Sequence, residues 1–326
     1  MANKVLITGI TGFVDSHMAD YILENHPDYQ IYGLRRWHLS RMDHVAHIKD
    51  VIKWIDCDIT DPVSSRIAIE KTQPDKIFHC ASESFVSPSW MNPHRYMDVN
   101  YHGTVNLLEG LRLIGSEAKF HIPGSGEEYG EIHESEIPII EDTVLRPVNP
   151  YAVTKIAQDL IGYVYYKSYG LNVIRTRAFN HEGPRREYVF GIPWYAYQIA
   201  RIEAGLQEPV ITCGHIDDKR NFTHVRDMVE AYWISTEICK PGELYLIGSD
   251  DQDKIFTFRQ ALEMLIDMSN IKGITYKTDP ELVRPTNVPR LISDTSKFRK
   301  ITNWKPKISF EVILKDTLEY WRERSS

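Results

Sequence analysis

Cysteine is scarce in this 326-residue chain. Cys57, Cys80, Cys213 and Cys239 stand far apart, with no CxxC pair and no Cys/His metal spacing. That argues against a disulfide framework and for reduced thiols in a cytoplasmic compartment. The thirteen histidines form no HExxH or paired-ligand pattern, so no metal is expected. Positive charge is not in excess, with 38 Lys and Arg against 45 Asp and Glu and a net charge of −7. Nucleic acid and anionic membrane surfaces are therefore poor partners. An anionic ligand must be met by local cations and helix ends. No run of eighteen apolar residues occurs, and the first residues lack the charged segment, apolar core and cleavage site of a leader, so neither a membrane span nor secretion is expected. Repeats and low-complexity tracts are also missing. What remains is ordinary for a globular protein: 42% hydrophobic and 25% charged residues, and enough chain for one large domain or two smaller ones.

Residues 3–23 read as a buried strand, a glycine turn and an amphipathic helix. Val5, Leu6 and Ile7 form a short apolar run of the parallel-sheet kind. Gly9 and Gly12 permit a tight turn and close backbone approach, and the following helix offers free amides and a positive dipole end. This is the local design of a pyrophosphate site, and Thr11, Phe13 and Val14 belong to the same loop. A third glycine is expected three residues after Gly12, but Asp15 stands there. Its carboxylate is expected to oppose the ligand's charge and weaken binding, although a helix's first turn tolerates an acid.

A second constellation lies in the middle of the chain. Tyr151 and Lys155 are four apart in an apolar-periodic segment and share one helix face. A phenol titrates near ~10, and an adjacent ammonium lowers that value, which suits acid and base work near neutral pH. Alone, the pair is equally an ordinary aromatic beside a snorkelling lysine. Upstream, residues 118–123 read as a strand, placing Ser125 and Glu127 just beyond its carboxyl end, where open α/β sheets bind ligands. A glutamate capping the next helix is the plain alternative for Glu127.

Together the GxxG turn, YxxxK and Ser125 resemble the extended short-chain dehydrogenase/reductase family. The resemblance is closest to GDP-mannose 4,6-dehydratases and GDP-4-keto-6-deoxymannose reductases, through Asn180-His181-x-x-Pro184-Arg185-Arg186, Arg220 in ArgAsnPheThrHisValArgAsp, and Arg284 in ArgProThr. It implies an α/β fold, a Rossmann doubly wound parallel sheet with a smaller, discontinuous substrate domain. Residues 1–178, about 210–240 and 288–300 are expected to form the dinucleotide domain, and about 179–209, 241–287 and 301–326 the sugar-nucleotide domain.

The resemblance also implies roles. Ser125, Tyr151 and Lys155 would oxidise a sugar carbon, with Glu127 as the acid/base that removes water. Dehydratases carry Thr-x-Glu where this chain has Ser-Gly-Glu, so reduction, dehydrogenation or epimerisation at C4 remain alternatives. Asp58 and Ile59 would meet the adenine, Cys80, Ala81 and Asn100 the rest of the dinucleotide, and His181 the nicotinamide edge. Ser84, Asn180, Arg186, Arg220 and Arg284 would hold the substrate, whose GDP moiety and whose hexose or heptose follow from the resemblance alone. Arg35 and Arg36 end the second strand where NAD sites place an acid, which favours NADP with NAD as second choice. Residues 192–204 read as an aromatic-rich helix, either core or pocket wall. A homodimer or homotetramer is implied. A different class also remains, a catalytically silent dinucleotide-binding protein, suggested by Asp15 and by Gly126 inside the acid/base motif.

Overall fold

The computed structural model describes residues 3–325. The chain alternates strand and helix from its start: β1 (Asn3–Thr8), α1 (Phe13–Asn25), β2 (Tyr29–Arg35), β3 (Lys53–Asp56), α2 (Pro62–Thr72) and β4 (Lys76–His79). There follow α3 (Gly103–Leu113), β5 (Lys119–Ser125), α4 (Pro150–Tyr169), β6 (Val173–Ala178), α5 (Gly191–Glu203), α6 (Val225–Ile238) and β7 (Leu244–Ile247). The remaining long helices are α7 (Phe258–Asp267), α8 (Ser296–Thr302) and α9 (Phe310–Ser325). The seven strands form one parallel sheet in the order β7-β6-β5-β4-β1-β2-β3. Strand order reverses beside β1, and the crevice at that point lies outside the carboxyl ends of β1 and β4.

Alternation along the strands explains the two covered faces. Val5, Ile7 and Phe78 face a cluster built with α1 and α6, while Leu6, Ile77, Phe120 and Ile122 face one built with α2, α3 and the end of α4. A separate core joins α5, α7 and α9 to the short parallel pair Val210–Cys213 and Thr275–Thr278. The sheet corrects the expected division of the chain at two points. Residues 244–247, expected in the substrate domain, are β7 and pair with β6 at the sheet edge. Residues 210–213, expected in the dinucleotide domain, bury Ile211 and Cys213 in the smaller core. Residues 288–300 do contribute Phe298 to the core around α1 and α6.

Helix α4 sets the site. The side chain of Asn149 accepts the Ala152 amide at 2.7 Å, Pro150 occupies the first turn, and Gly170 closes the helix in the left-handed region. Its buried face carries Tyr151 and Lys155. Asn100 sits in a π-helical turn at Asp98–His102, ahead of α3.

Candidate active site

The crevice outside β1 and β4 opens into a cavity of about 950 Å³. At one end, Gly9 adopts φ +71° and turns the chain so that the Gly12 amide donates to the Gly9 carbonyl at 2.8 Å. A Cβ on Gly9 would lie 2.9 Å from the Ala81 backbone, so only glycine fits. Gly12 precedes α1 with no side-chain cap, leaving first-turn amides to face the cavity that Thr11, Gly12, Phe13 and Val14 line. Open backbone amides at a helix N-terminus are the donors a pyrophosphate requires, so these residues fit a dinucleotide. Asp58, Ile59, Cys80, Ala81 and His181 line the same cavity. The His181 ring stacks on Phe13, with centroids 5.9 Å apart and planes within 6°. Its Nδ1 donates to the Phe179 carbonyl at 2.9 Å, and burial, helped by Arg186, lowers its pKa to about 4, so the ring is neutral.

Arg35 and Arg36 both line the cavity, but they differ. Arg35 is paired with Asp56 at 2.9 Å and lies over Trp54, so much of its guanidinium is engaged within the sheet edge. Arg36 has no such ion pair among the described residues, and the expectation for a 2′-phosphate shifts to it.

Ser125, Glu127 and Tyr151 meet at the centre of the cavity. The Tyr151 phenol hydrogen-bonds the Ser125 side chain, and its ring packs edge-on against Tyr96 at 6.4 Å. Ser125 Oγ accepts the Glu127 amide at 3.2 Å. The capping alternative is answered by the neighbouring glutamate. Glu128, not Glu127, closes the turn by accepting the Ser125 amide at 2.7 Å, and it is fully buried. Glu127 turns to the cavity and accepts from Asn149 Nδ2 at 3.1 Å. Gly126 also has a packing reason: a Cβ there would come within 3.0 Å of Leu291 and 3.1 Å of Phe179.

Lys155 is held by two hydrogen bonds. Its ammonium donates to the Pro123 carbonyl at 2.6 Å and to Gln158, and it lies behind the cavity wall. Burial raises the Tyr151 pKa, opposed by the Ser125 hydrogen bond. Desolvation of the phenolate is the largest cause of that shift. Lys155 fixes the β5 exit on which Ser125 stands. Asn100 is likewise behind the wall: it is fully buried and ties Ser82 and Glu83 to Thr154 through four hydrogen bonds of 2.8–3.1 Å.

The expected substrate residues Ser84, Asn180, Arg186, Arg220 and Arg284 all reach the cavity. Arg220 is buried and donates to the Lys219 and Val288 carbonyls at 2.9 and 2.8 Å, which fixes its plane. Arg186 bonds the His181 carbonyl and lies 4.1 Å above the centre of the Phe190 ring. From the aromatic helix, Trp194 and Tyr195 face the cavity and the rest is core, so both readings hold in part.

Two features have no clear signal in the sequence. Behind Ser125, Glu128 pairs with Arg177 at 2.7 Å, Arg177 with Asp159 at 2.6 Å, and Asp159 with Arg175 at 2.5 Å, all four side chains at most 8% exposed. Burial raises the Glu128 pKa to about 7 in spite of Arg177. The other feature is Asp15. It is 2% exposed, and burial drives its pKa well above the usual carboxylate value, only partly offset by the Cys80 thiol. Burial thus disfavours the charged form of the carboxyl that was expected to oppose a pyrophosphate.

A glycine-loop crevice on a seven-stranded parallel sheet, sharing one cavity with Ser125 and Tyr151, defines an extended short-chain dehydrogenase/reductase. The model of the GDP-mannose 4,6 dehydratase family matches residues 6–317. The chain belongs to that family of nucleotide-sugar enzymes. It is 30% identical to the GDP-mannose 4,6-dehydratase of Yersinia enterocolitica, with 94% of this chain and 91% of that protein covered. It is 29% identical to the GDP-6-deoxy-D-mannose reductase of Pseudomonas aeruginosa, covering 99% of both. Among solved structures, Pseudomonas aeruginosa RMD complexed with NADPH superposes with a TM-score of 0.85 at 28% identity, covering 99% of each chain. The UDP-glucose 4-epimerase of Thermotoga maritima with UDP-glucose superposes with 0.86 at 25% identity, covering 99% of this chain and 100% of that one. No helix among the described residues is long and apolar enough to cross a membrane, and none of their His, Cys, Asp and Glu groups could hold a metal ion.

Proposed function

We propose that this protein converts a GDP-linked hexose to its 4-keto-6-deoxy form, with NADP as the preferred dinucleotide and NAD as second choice. The observation that carries the reading is the meeting of Ser125, Tyr151 and Glu127 in the cavity that the glycine turn closes. A bound nicotinamide supplies the hydride acceptor and donor. Tyr151 takes the C4 hydroxyl proton while the Ser125 hydroxyl orients that oxygen. Glu127 then takes the C5 proton, acidified by the neighbouring ketone, and returns a proton to the departing C6 hydroxyl. Oxidation at C4 balances reduction at C6, so the sugar loses one water and no net electrons. Arg186, Arg220 and Arg284 supply guanidinium forks for a diphosphate.

A second reading within the same chemistry is 4-keto reduction, favoured by full-length similarity to the Pseudomonas reductase. It uses Ser125 and Tyr151 and leaves Glu127 idle. Incubation with GDP-mannose, followed at C6 by NMR, separates the two. A new C6 methyl signal is expected. A retained C6 hydroxyl in a preparation that turns the sugar over excludes dehydration and leaves the oxidoreductase or epimerase readings. Against the catalytically silent alternative stands the packing at Gly126, where a Cβ would crowd Leu291 and Phe179.

A second copy of the chain is the partner we propose for α3 and α4. Leu113, Val153, Leu160, Tyr163 and Val164 are exposed on these helices by 41–53%. Apolar surface gathered on two adjacent helices is the material of a helical-bundle interface. Light scattering is expected to give a dimer or tetramer, reduced to monomer by Leu160→Lys with Val164→Lys. A monomeric wild type at micromolar concentration contradicts it.

A further inference from the structure

Asp15 stands in the first turn of α1, directly after the glycine turn, and lines the dinucleotide end of the cavity. Its Oδ2 lies 3.2 Å from the position a Cβ would take on Gly9, so the carboxyl is wedged between the turn and the β4 exit. No cation pairs with it among the described residues, and Oδ1 has no hydrogen-bond partner. A carboxylate in such a place is strongly disfavoured, whereas a carboxylic acid is not. The acid also brings an O–H donor that neither glycine nor a carboxylate offers. The titratable groups facing it are the Cys80 thiol from the β4 exit and the Tyr232 phenol from α6. Lys155 acts on Cys80 and not on Asp15. Burial pushes the Asp15, Cys80 and Tyr232 pKa values upward.

We propose that Asp15 is a specificity-determining part of the dinucleotide site, a neutral acid whose proton is donated to the phosphate-bearing part of the ligand, so that dinucleotide binding is linked to one proton. The proposal rests on the dinucleotide reading above and not on the sugar chemistry. It reverses the sign expected of an acid in a phosphate loop. An ionised Asp15 would make its removal tighten binding; a protonated donor makes its removal weaken binding while asparagine, which also donates, replaces it.

The test is the NADPH affinity of the whole protein without sugar, read by nucleotide fluorescence for wild type, Asp15→Gly and Asp15→Asn. At neutral pH, Asp15→Gly is expected to bind about tenfold more weakly, the size of one lost hydrogen bond to a charged group, and Asp15→Asn within about threefold of wild type. Raising the pH stepwise should weaken wild type relative to Asp15→Asn as the acid titrates. Cys80→Ser should preserve that relative loss. Tighter binding by either Asp15 variant, equal affinity of Asp15→Gly and wild type, an unchanged ratio at high pH, or loss of the pH effect in Cys80→Ser each overturns the proposal. Failure of every variant to bind NADPH or NADH overturns it together with the dinucleotide reading. NADPH binding without turnover of GDP-mannose removes only the proposed reaction.

Discussion

Tyr151→Phe is expected to reduce turnover of a GDP-hexose by 10² to 10⁴, the range of a lost general acid or base, and to leave NADPH affinity within about twofold. The substitution removes only the hydroxyl. The ring keeps its packing against Tyr96, Val86 and Trp90, so the fold and cavity wall persist. The effect should fall on kcat, because the phenol hydrogen-bonds Ser125 and bears on the reacting oxygen rather than on the nucleotide. Burial is the largest cause raising the phenol pKa, with Glu127 and Glu128 adding to it and the Ser125 hydrogen bond opposing it, while the Lys155 ammonium donates to Pro123 and Gln158. The pH at which activity rises therefore reports the phenol in its ligand-bound surroundings. Steady-state kinetics with the two proteins side by side decide it. A Tyr151→Phe enzyme within fivefold of wild type would remove the tyrosine from the chemistry.

The largest effect on stability is expected at Asp159. Its carboxylate serves Arg175 and Arg177 at once, and both guanidinium groups are nearly inaccessible to water. Asp159→Asn leaves the buried Arg175 without its ion-pair partner and Arg177 with Glu128 alone, and breaking a buried pair in this way costs about 3–5 kcal/mol. The exposed pair Arg66–Glu70 provides the contrast, since Glu70→Gln should cost no more than about 1 kcal/mol. Urea unfolding measures both. Equal costs at the two sites would show that the buried network carries no special weight. Because Glu128 also accepts the Ser125 amide, a loosened network is expected to lower kcat in the fraction that remains folded.

What was legible in the sequence was local. Gly9 and Gly12 announce a turn because positive φ and close approach leave few other residues, and Tyr151 and Lys155 share a helix face by spacing alone. Asn149 before Pro150 is an equally plain helix start, and its second task, holding Glu127, follows from two elements that meet only in the folded chain. What was not legible depended on distant partners. The Asp15 carboxyl pKa is raised by burial, near Cys80 and Tyr232 from distant parts of the chain. Lys155 donates to the β5 carbonyl at Pro123, a partner that lies 32 residues away in the chain. The four-residue strand β7 reads like any short apolar run until Leu244 is seen beside Arg175 on β6. Spacing fixes which face a side chain leaves from, while its charge state and final partner are decided by burial.

The central claim is that one cavity removes hydride from C4 and restores it at C6 of the same sugar. GDP-mannose deuterated at C4 tests this most directly, with the product read by NMR in ordinary water. The expected result is a 4-keto product whose C6 methyl carries the deuterium. A product that retains its C6 hydroxyl, or a methyl group without the label, contradicts the account.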